Sequence, residues 1–296
     1  MLNQKAKEAL KQCIYSFEKI ASVIPDDKYL KWFYFIHMKK RLNLDNPRTF
    51  NEKMQWLKLY DRKPQYTRLV DKYEVRSYIA DTIGEEYLIP LLGIWNKPEK
   101  IDFESLPDKF VLKCTHDSGS VLVCHNKKEF NTGKAIKFLN TRMKRNYFYH
   151  GREWPYKDVK PRIIAEQYME EEAGEELKDY KLMCFNSKVK VAFVCSERYL
   201  GNGLRVTFFD TDWKRLPFER HYPASSVAIK KPEKYEEMIR IAEKLSEKLP
   251  FVRVDLYEIK GRIYFSELTF YPGSGIEEFN PEKWDLTLGK QLKLPI

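Results

Sequence analysis

The alternation of apolar and polar residues is clearest near the end of the chain, in the runs 251–257 and 262–270. Both runs are rich in β-branched and aromatic residues, and Lys260-Gly261 between them is typical of a tight turn, so the pattern predicts a β-hairpin. Centring the turn on Gly261 creates two pairs on one face: Asp255 with Glu267, and Arg253 with Thr269. The other face collects Val252, Val254, Leu256, Ser266, Leu268 and Phe270. A shift by one residue would mix charged and apolar side chains, so this register is predicted.

One face of the predicted hairpin therefore carries two carboxylates, Asp255 and Glu267, beside Arg253. Two neighbouring carboxylates repel unless a cation lies between them. Mg²⁺ fits, because it binds one or two protein carboxylates and leaves its other positions to water and phosphates. A structural ion pair of Arg253 with either carboxylate explains the same residues, and the hairpin alone does not choose between these interpretations.

Residues 1–46 have the apolar spacing of helices. The pattern predicts one helix over 3–24 and, after Pro25, a segment over 28–41 that mixes aromatic with basic residues. That segment is compatible with an anionic membrane surface, but packing of its aromatic stripe against the protein body is the favoured interpretation. Thr49 and Glu52 have the spacing of a capping box, which predicts a helix to about Tyr60.

A lysine beside a loop of small residues occurs in the middle of the chain. Runs 110–114 and 121–124 predict two strands, with Lys113 on the first and the loop 115–120 between them. The N–H groups of such a loop can approach phosphates closely while a lysine neutralises them. Lys72 lies at the start of a predicted helix over 70–80. No Walker motif and no G-x-G-x-x-G is present, so an ordinary hairpin turn is the simpler interpretation of the loop alone.

Five basic and five aromatic residues are interleaved over 142–157. Cations for charge and rings for stacking suit an acidic carbohydrate or a nucleic-acid strand, and an aromatic-rich surface loop is the alternative. The following segments predict a strand over 161–169, a hairpin over 179–194 and an amphipathic helix over 232–249.

Composition restricts the possibilities further. With 296 residues, a net charge of +10 and 15% aromatic residues, the chain can form two lobes and favours anionic partners. No apolar run approaches the roughly 20 residues of a membrane span, and no signal peptide is expected. The five cysteines show no metal-ligand spacing. A cytoplasmic location is expected, with peripheral contact at the inner face of the membrane as an option.

Taken in order, these features resemble the ATP-grasp fold, the two-lobed architecture of D-alanine–D-alanine ligase and glutathione synthetase. The similarity is closest to the teichuronopeptide-biosynthesis (TupA-like) branch, found among bacterial surface-polysaccharide enzymes. It covers roughly residues 43–295 and is strongest over 49–61, 149–156 and 265–275. The implied fold is α+β, with two lobes that grip a nucleotide. Its parts are an N-terminal helical segment (1–60), a lid lobe (61–165) and a C-terminal lobe with the hairpin (166–296).

The resemblance also implies residue roles. ATP phosphates would contact Lys72, Lys113, Lys181, Ser118, Gly119 and Ser120. The adenine pocket would be lined by Glu166, Gln167, Tyr168 and Met169. Mg²⁺ would be bound by Asp255, Glu267 and Thr269, and the catalytic groups would be Arg253, Lys181 and His116. The acidic acceptor would contact Arg142, Arg145, Arg152 and Trp154.

The activity implied by the family is ATP- and Mg²⁺-dependent ligation of a carboxylate to an amine through an acyl phosphate. The partners would be a nucleotide, an amino compound and a uronic-acid acceptor, which is an acidic glycan, a sugar nucleotide or a lipid-linked chain; no nucleic acid is expected. Two residues depart from the usual pattern. Thr269 stands where the fold commonly has Asn, and Asp117 places an anion in the phosphate loop.

A competing motif is Asp210-Thr211-Asp212, which matches the Asp-x-Asp with which many glycosyltransferases hold a metal and a sugar nucleotide. It lies between a strand-like run and Trp213, where aspartate-rich turns are common for structural reasons. A glycosyltransferase of polysaccharide biosynthesis is therefore the second hypothesis, and a non-enzymatic polyanion-binding module is the third.

Overall fold

The computed structural model describes residues 23–170, 177–197 and 203–295. The helix predicted over 3–24 lies almost entirely outside this part of the chain. Within the described residues the α-helices are α1 (Asp26–Met38), α2 (Phe50–Tyr60), α3 (Gln65–Val70), α4 (Val75–Thr82), α5 (Thr132–Met143), α6 (Phe148–Gly151), α7 (Tyr235–Leu245) and α8 (Lys283–Gln291). The strands are β1 (Leu91–Trp95), β2 (Phe110–Cys114), β3 (Val121–Cys124), β4 (Ile163–Gln167), β5 (Asp179–Phe185), β6 (Lys188–Ser196), β7 (Arg205–Phe209), β8 (Glu219–Arg220), β9 (Phe251–Ile259), β10 (Arg262–Thr269) and β11 (Phe279–Asn280).

Five antiparallel strands form the larger sheet, in the order β10-β9-β5-β6-β7. The hairpin predicted over 179–194 lies within it as β5 and β6, joined at Asn186 and Ser187, whose φ angles are 48° and 66°. Helix α7 packs on this sheet through buried residues at helical spacing, namely Tyr235, Met238, Ile241, Ala242 and Leu245. The amphipathic pattern over 232–249 thus corresponds to a helix of 11 residues.

Four antiparallel strands, in the order β1-β4-β2-β3, form the second sheet. One face packs against α5 and buries Leu112 completely. On the other face Val121, Lys113, Ile164 and Ile94 are neighbours across the strands, and Val121 is 46% exposed. Since cross-strand neighbours share a face, Lys113 projects from the face opposite to the apolar core of this sheet, among apolar side chains.

The β9–β10 hairpin has the predicted register at its carboxylate end and a different register near its turn. Lys260 and Gly261, with φ angles of 51° and 73°, form a two-residue turn of the kind that favours tight hairpins. A bulge between Phe265 and Glu267 then shifts the pairing by one residue. As a result, Asp255 faces Glu267 as predicted.

The bulge also corrects the predicted position of Ser266. Phe265, rather than Ser266, pairs with Leu256 on the buried face. The hydroxyl of Ser266 lies 3.5 Å from the hydroxyl of Tyr257. Tyr257 lies two residues from Asp255 along β9 and therefore on the same face, so Ser266 is on the face that carries the carboxylates.

Helices α2 to α4 belong to the core of the larger sheet, because Phe50, Tyr66 and Ile79 are buried in the same apolar cluster as its strands. The capping box that starts α2 is confirmed. The hydroxyl of Thr49 accepts from the N–H of Glu52 at 3.2 Å, and the Glu52 carboxylate accepts from the N–H of Thr49 at 3.0 Å. The division of the chain after residues 60 and 165 stays a prediction.

Helix α1 packs one aromatic stripe against the body, which confirms the favoured interpretation of that segment. The buried side chains are Tyr29, Leu30, Phe33, Tyr34 and Met38. On the opposite side Phe35 is 54% exposed and Ile36 is 39% exposed. Among the described helices, none is long and apolar enough to cross a membrane.

Candidate active site

Arg253 lies between the two carboxylates of the hairpin. Its guanidinium donates to both oxygens of Asp255, at 2.6 Å each, and to Oε1 of Glu267 at 3.0 Å. The hydroxyl of Thr269 donates to the same Glu267 oxygen at 3.2 Å. The register causes these contacts, since cross-strand neighbours on one face are within side-chain reach. The ion-pair interpretation therefore holds for both carboxylates.

Lys181 contributes a second cation from the neighbouring strand. It lies directly opposite Asp255 in the β5–β9 pairing, donates to that carboxylate and lies 2.6 Å from the carboxylate of Asp179. Burial alone would lower the pKa of Lys181, but Asp179 and Asp255 outweigh it and raise that pKa. Lys181 is therefore charged at neutral pH and compensates the carboxylates around it.

The two carboxylates of the hairpin differ in exposure and protonation. Burial raises the pKa of Asp255 to about 6, although Arg253 and Lys181 both favour its charged form. For Glu267 the effect of burial is outweighed by Arg253, Lys72 and Lys181, and the pKa falls to about 2. The side chain of Asp255 is fully buried, whereas that of Glu267 is 37% exposed. Glu267 is thus ionised at neutral pH and is the more accessible of the two carboxylates.

The residues present fit a divalent cation that is shared with a bound phosphate. Asp255 and Glu267 already converge on one positive group, Arg253, and Thr269 adds a hydroxyl beside them. In the part of the chain that the structure describes, no three or more His, Cys, Asp or Glu side chains are arranged as a metal site. Two carboxylates completed by water and phosphate oxygens suit Mg²⁺ rather than a metal held by protein ligands alone.

The loop predicted to bind phosphate, residues 115–120, is held from one side by cations. Lys72 donates to the carbonyl oxygen of Asp117 at 2.6 Å, and Arg142 donates to the carbonyl oxygen of Ser118. The C=O and N–H groups of a trans peptide point in opposite directions. The N–H groups of Ser118 and Gly119 therefore point away from the two carbonyl contacts.

Asp117, the unexpected anion of this loop, is neutralised inside the protein. Its carboxylate is 1% exposed, lies 2.7 Å from the guanidinium of Arg142 and accepts from the hydroxyl of Ser120. The side chain is therefore not an unpaired negative charge beside a phosphate. It fixes the loop to α5 instead.

Lys72 precedes α4 rather than lying in its first turn. The carboxylate of Asp71 accepts from the N–H of Tyr73 at 2.8 Å, a local turn that competes with helix formation. The helix begins at Val75, so the predicted start at residue 70 is wrong. The turn leaves Lys72 beside the phosphate loop, where its N–H also donates to the carbonyl of Thr115 at 3.2 Å.

Lys113 faces the carboxylate cluster from the smaller sheet. Its ammonium lies 2.7 Å from Glu166 on β4, and Arg76 lies 3.5 Å from the same carboxylate. Burial would lower the pKa of Lys113, but Glu166 and, further away, Glu267 outweigh it and raise that pKa. Glu267 belongs to the larger sheet, so Lys113 and Glu267 interact electrostatically although they lie on different sheets.

The other residues expected around adenine lie at the end of β4. Gln167 is exposed, while Tyr168 and Met169 are partly buried. The ring of Tyr168 lies 5.0 Å from that of His125. Glu166 differs from the other three, because its carboxylate is paired with Lys113.

A buried lysine that the sequence analysis did not single out joins the three stretches where the family resemblance is strongest. Lys58 on α2 donates to the carbonyl oxygens of Gly151 at 2.7 Å and Ser274 at 2.8 Å. Burial lowers its pKa to about 8, an effect that the carboxylate of Glu153 partly opposes. No local signal marks Lys58, because a lysine in a helix is usually solvent-exposed.

Glu153 and Tyr147, also missed from the sequence, connect this lysine with the phosphate loop. Burial raises the pKa of Glu153 to about 7, while Lys58 and a hydrogen bond from Ser274 act in the opposite direction. Tyr147 is hydrogen-bonded to Ser118, and Glu153 together with burial raises the pKa of its phenol. The phosphate loop and the Pro272–Gly275 turn are thus connected through one buried polar network.

Three of the four residues expected to bind the acceptor are used inside the protein. Arg142 holds the phosphate loop, and Arg152 is 1% exposed, with its guanidinium 3.0 Å from Asp26 on α1. Trp154 packs on the core, with its ring 5.9 Å from that of Tyr66. These three side chains support the fold around the cleft.

Arg145 and His116 instead line a cavity of about 440 Å³ behind the phosphate loop. Nε2 of His116 lies 3.3 Å from the carbonyl oxygen of Arg142, and the ring is 2% exposed. Burial lowers the pKa of His116, so the ring is neutral at pH 7. Its catalytic role stays a prediction.

The Asp210-Thr211-Asp212 motif forms a tight turn after β7. The Asp210 carboxylate accepts from the N–H of Asp212 at 3.0 Å and from the N–H of Lys214 at 2.8 Å. This is the structural use of aspartate that the sequence analysis weighed against a metal site.

Two antiparallel sheets, one with a lysine beside a loop of small residues and the other with paired carboxylates, are the arrangement expected of an ATP-grasp protein. The chain belongs to the TupA-like ATPgrasp family, whose model matches residues 52–293. The family resemblance and the α+β fold expected from the sequence are confirmed. Among curated proteins, none matches the chain.

Solved structures of similar fold include two D-alanine–D-alanine ligases. The enzyme from Helicobacter pylori is 18% identical, with a TM-score of 0.41 over 82% of this chain and 69% of that one. The enzyme from Bacillus anthracis, complexed with ATP, is 16% identical, with a TM-score of 0.40 over 68% of this chain and 53% of that one. An ADP complex of N5-carboxyaminoimidazole ribonucleotide synthetase is 17% identical, with a TM-score of 0.42 over 74% and 50%. The chain thus spans about half the length of the last two, and the family match carries the assignment.

Replacing the two carboxylates should separate chemistry from stability. Glu267→Gln should abolish ATP turnover but change the melting temperature by only a few degrees, because Arg253 keeps its bidentate pair with Asp255. Asp255→Asn should cost about 3–5 kcal/mol of unfolding free energy, because it removes the buried counter-charge of Arg253 and Lys181. Turnover assays and denaturant titrations measure both effects. Normal turnover by Glu267→Gln, or equal destabilisation by the two variants, contradicts this assignment.

Replacing Arg142 should damage nucleotide binding rather than acceptor binding. Arg142→Ala releases the carbonyl of Ser118 and the carboxylate of Asp117, so the KM for ATP should rise about tenfold, equivalent to about 1.4 kcal/mol. The KM for the acceptor should stay within twofold. Asp117→Asn should have a similar effect, and the double variant should be little worse than either single one, because both remove the same contact. A raised acceptor KM with an unchanged ATP KM would restore the role expected from the sequence.

Proposed function

We propose that this protein is an ATP- and Mg²⁺-dependent ligase that joins an amino compound to a carboxylate through an acyl phosphate. The observation that supports this best is the arrangement of charges at the hairpin, where Arg253 donates to both Asp255 and Glu267. Lys181 donates to Asp255 from the next strand, and Lys113 of the smaller sheet interacts electrostatically with Glu267. Phosphoryl transfer requires mainly positioning and neutralisation of charge. Cations on both sides of the cleft, with an ionised carboxylate between them, suit that requirement.

The proposed reaction has two steps. A carboxylate oxygen of the acceptor attacks the γ-phosphorus of ATP and ADP leaves, which gives an acyl phosphate. The amine then attacks the acyl carbon, phosphate leaves with the oxygen that came from the carboxylate, and the amine proton passes to solvent. The product is an amide.

Each charged group of the cleft has a role in this scheme. Lys72, Lys113 and Lys181, with the N–H groups of Ser118 and Gly119, would bind the phosphates. Mg²⁺ bound to Asp255 and Glu267 would supply further neutralisation of phosphate charge. Arg253 would stabilise negative charge on the oxygen of the acyl group.

The finer parts of the proposal concern the substrates and the place of action. The acceptor would be a uronic-acid carboxylate of a bacterial surface-polysaccharide precursor, and the net charge of +10 favours such an anionic partner. The enzyme would work in the cytoplasm. Phe35 and Ile36, exposed on α1 between Lys31 and Lys39, suit peripheral contact with an anionic membrane that carries lipid-linked acceptors.

The alternatives have less support. A glycosyltransferase needs the carboxylate of Asp210 for a metal, yet both of its contacts described above are N–H groups of its own turn. A non-enzymatic polyanion-binding module would not require the carboxylate pair or the lysines of the cleft.

An ATPase assay over candidate amines and acidic sugars, with products weighed by mass spectrometry, tests the proposal. We expect ADP formation that requires Mg²⁺ and is stimulated by one acceptor–amine pair, with a product heavier than the acceptor by the amine minus water. Asp212→Ala should retain this activity, because the side chain is exposed and remote from the proposed chemistry. Consumption of a sugar nucleotide that is lost in Asp212→Ala but kept in Glu267→Gln would establish the glycosyltransferase instead.

A further inference from the structure

The cavity behind the phosphate loop has more positive charge than the fold requires. Four cationic side chains line it, namely Lys144, Arg145, Lys157 and Lys160, against one carboxylate, Asp158. Across the described residues, no carboxylate lies within ion-pair distance of Lys144, Lys157 or Lys160. All three lysines are exposed. Their charges are therefore available to a ligand.

The same cavity has an apolar wall. Met143, Val159 and Pro161 line it together with the ring of Tyr156. A site that combines cations with a flat aromatic surface suits a ring-shaped unit that bears an oxyanion, because the ring covers the apolar surface while the anion meets the lysines. A bare phosphate chain would leave that wall uncovered.

A second depression continues from the cavity along the exposed side of α5. It has a volume of about 600 Å³ and shares Lys144 with the cavity. Its other lining residues are Gly133, Ile136, Lys137, Asn140 and Thr141. Lys137 and Lys144 are two helical turns apart, about 10 Å at 1.5 Å per residue. Together the two depressions are longer than a single sugar ring, and positively charged side chains recur along them.

The inner end of this path lies against the phosphate loop. His116, which lines the cavity, belongs to the phosphate loop, and Tyr156 packs its ring 4.9 Å from that of Tyr147. Tyr147 is in turn hydrogen-bonded to Ser118 of the loop. A chain seated along α5 would therefore end beside the phosphate loop.

We infer that the cavity and the depression along α5 form one binding groove for an extended anionic glycan, with an outer subsite at Lys137 and an inner subsite at Lys160. This inference rests on the proposed function for the statement that the reacting carboxylate lies at the inner end. Its separate claim is that the enzyme acts on a chain several acidic sugars long, and that units beyond the reacting one strengthen binding.

Chain-length dependence tests the groove directly. Fluorescently labelled galacturonate dimers and octamers should be titrated onto the full chain without ATP or Mg²⁺, at 50 and 200 mM salt. The octamer should bind about tenfold more tightly at low salt, and the advantage should shrink at high salt. Lys137→Gln should weaken the octamer about threefold and leave the dimer unchanged, whereas Lys160→Gln should weaken both. Lys290→Gln is the matched control, because this exposed lysine lies on α8 and lines neither depression.

Several outcomes overturn the inference. They are equal affinity for dimer and octamer, an effect of Lys290→Gln as large as that of Lys137→Gln, and tighter binding of polyphosphate or polyglutamate of equal charge with the same dependence on Lys137. The melting temperatures of the variants should stay at the wild-type value, because the substituted lysines are exposed. Ligase activity without chain-length dependence would refute the groove alone. Chain-length dependence without ATP-dependent ligation would refute the proposed function alone.

Discussion

The contact between Arg253 and the carboxylates of Asp255 and Glu267 is the constraint around which the rest of the site is arranged. Two carboxylates on adjacent strands are tolerated only because a guanidinium donates to both, at 2.6 and 3.0 Å. Lys181 then supplies a second charge from the next strand. The pairing leaves one carboxylate buried and the other accessible.

The phosphate loop depends on the same principle of opposing charges. Asp117 neutralises Arg142, and Arg142 and Lys72 bind the carbonyl oxygens of the loop. The N–H groups of Ser118 and Gly119 point away from these contacts as a consequence. Lys58 completes the scaffold, because its single ammonium binds carbonyl groups from two segments that are distant in sequence, at Gly151 and Ser274. The stretches that carry the family resemblance are therefore held together by one buried ammonium.

The sequence predicted the parts of this structure that depend on local pattern. The alternation of residues gave the correct pairing of Asp255 with Glu267, and turn chemistry located the strands on either side of the phosphate loop. The bulge at Ser266 was not predictable, since it compensates for a two-residue turn that the pattern of apolar residues does not encode. Lys58, Glu153 and Tyr147 were missed because only tertiary contacts bury them. Arg142 and Arg152 were assigned to an acceptor because composition cannot distinguish an exposed arginine from one that holds a loop or a helix.

The central claim is that ATP activates a carboxylate of the acceptor in this cleft. Transfer of oxygen-18 from that carboxylate into the released phosphate tests it most directly, with the acceptor labelled in both carboxylate oxygens and the phosphate analysed by mass spectrometry. An acyl phosphate route predicts one oxygen-18 atom in each phosphate released. The Glu267→Gln variant should release no phosphate, because turnover stops. Unlabelled phosphate released alongside the amide product would contradict the account.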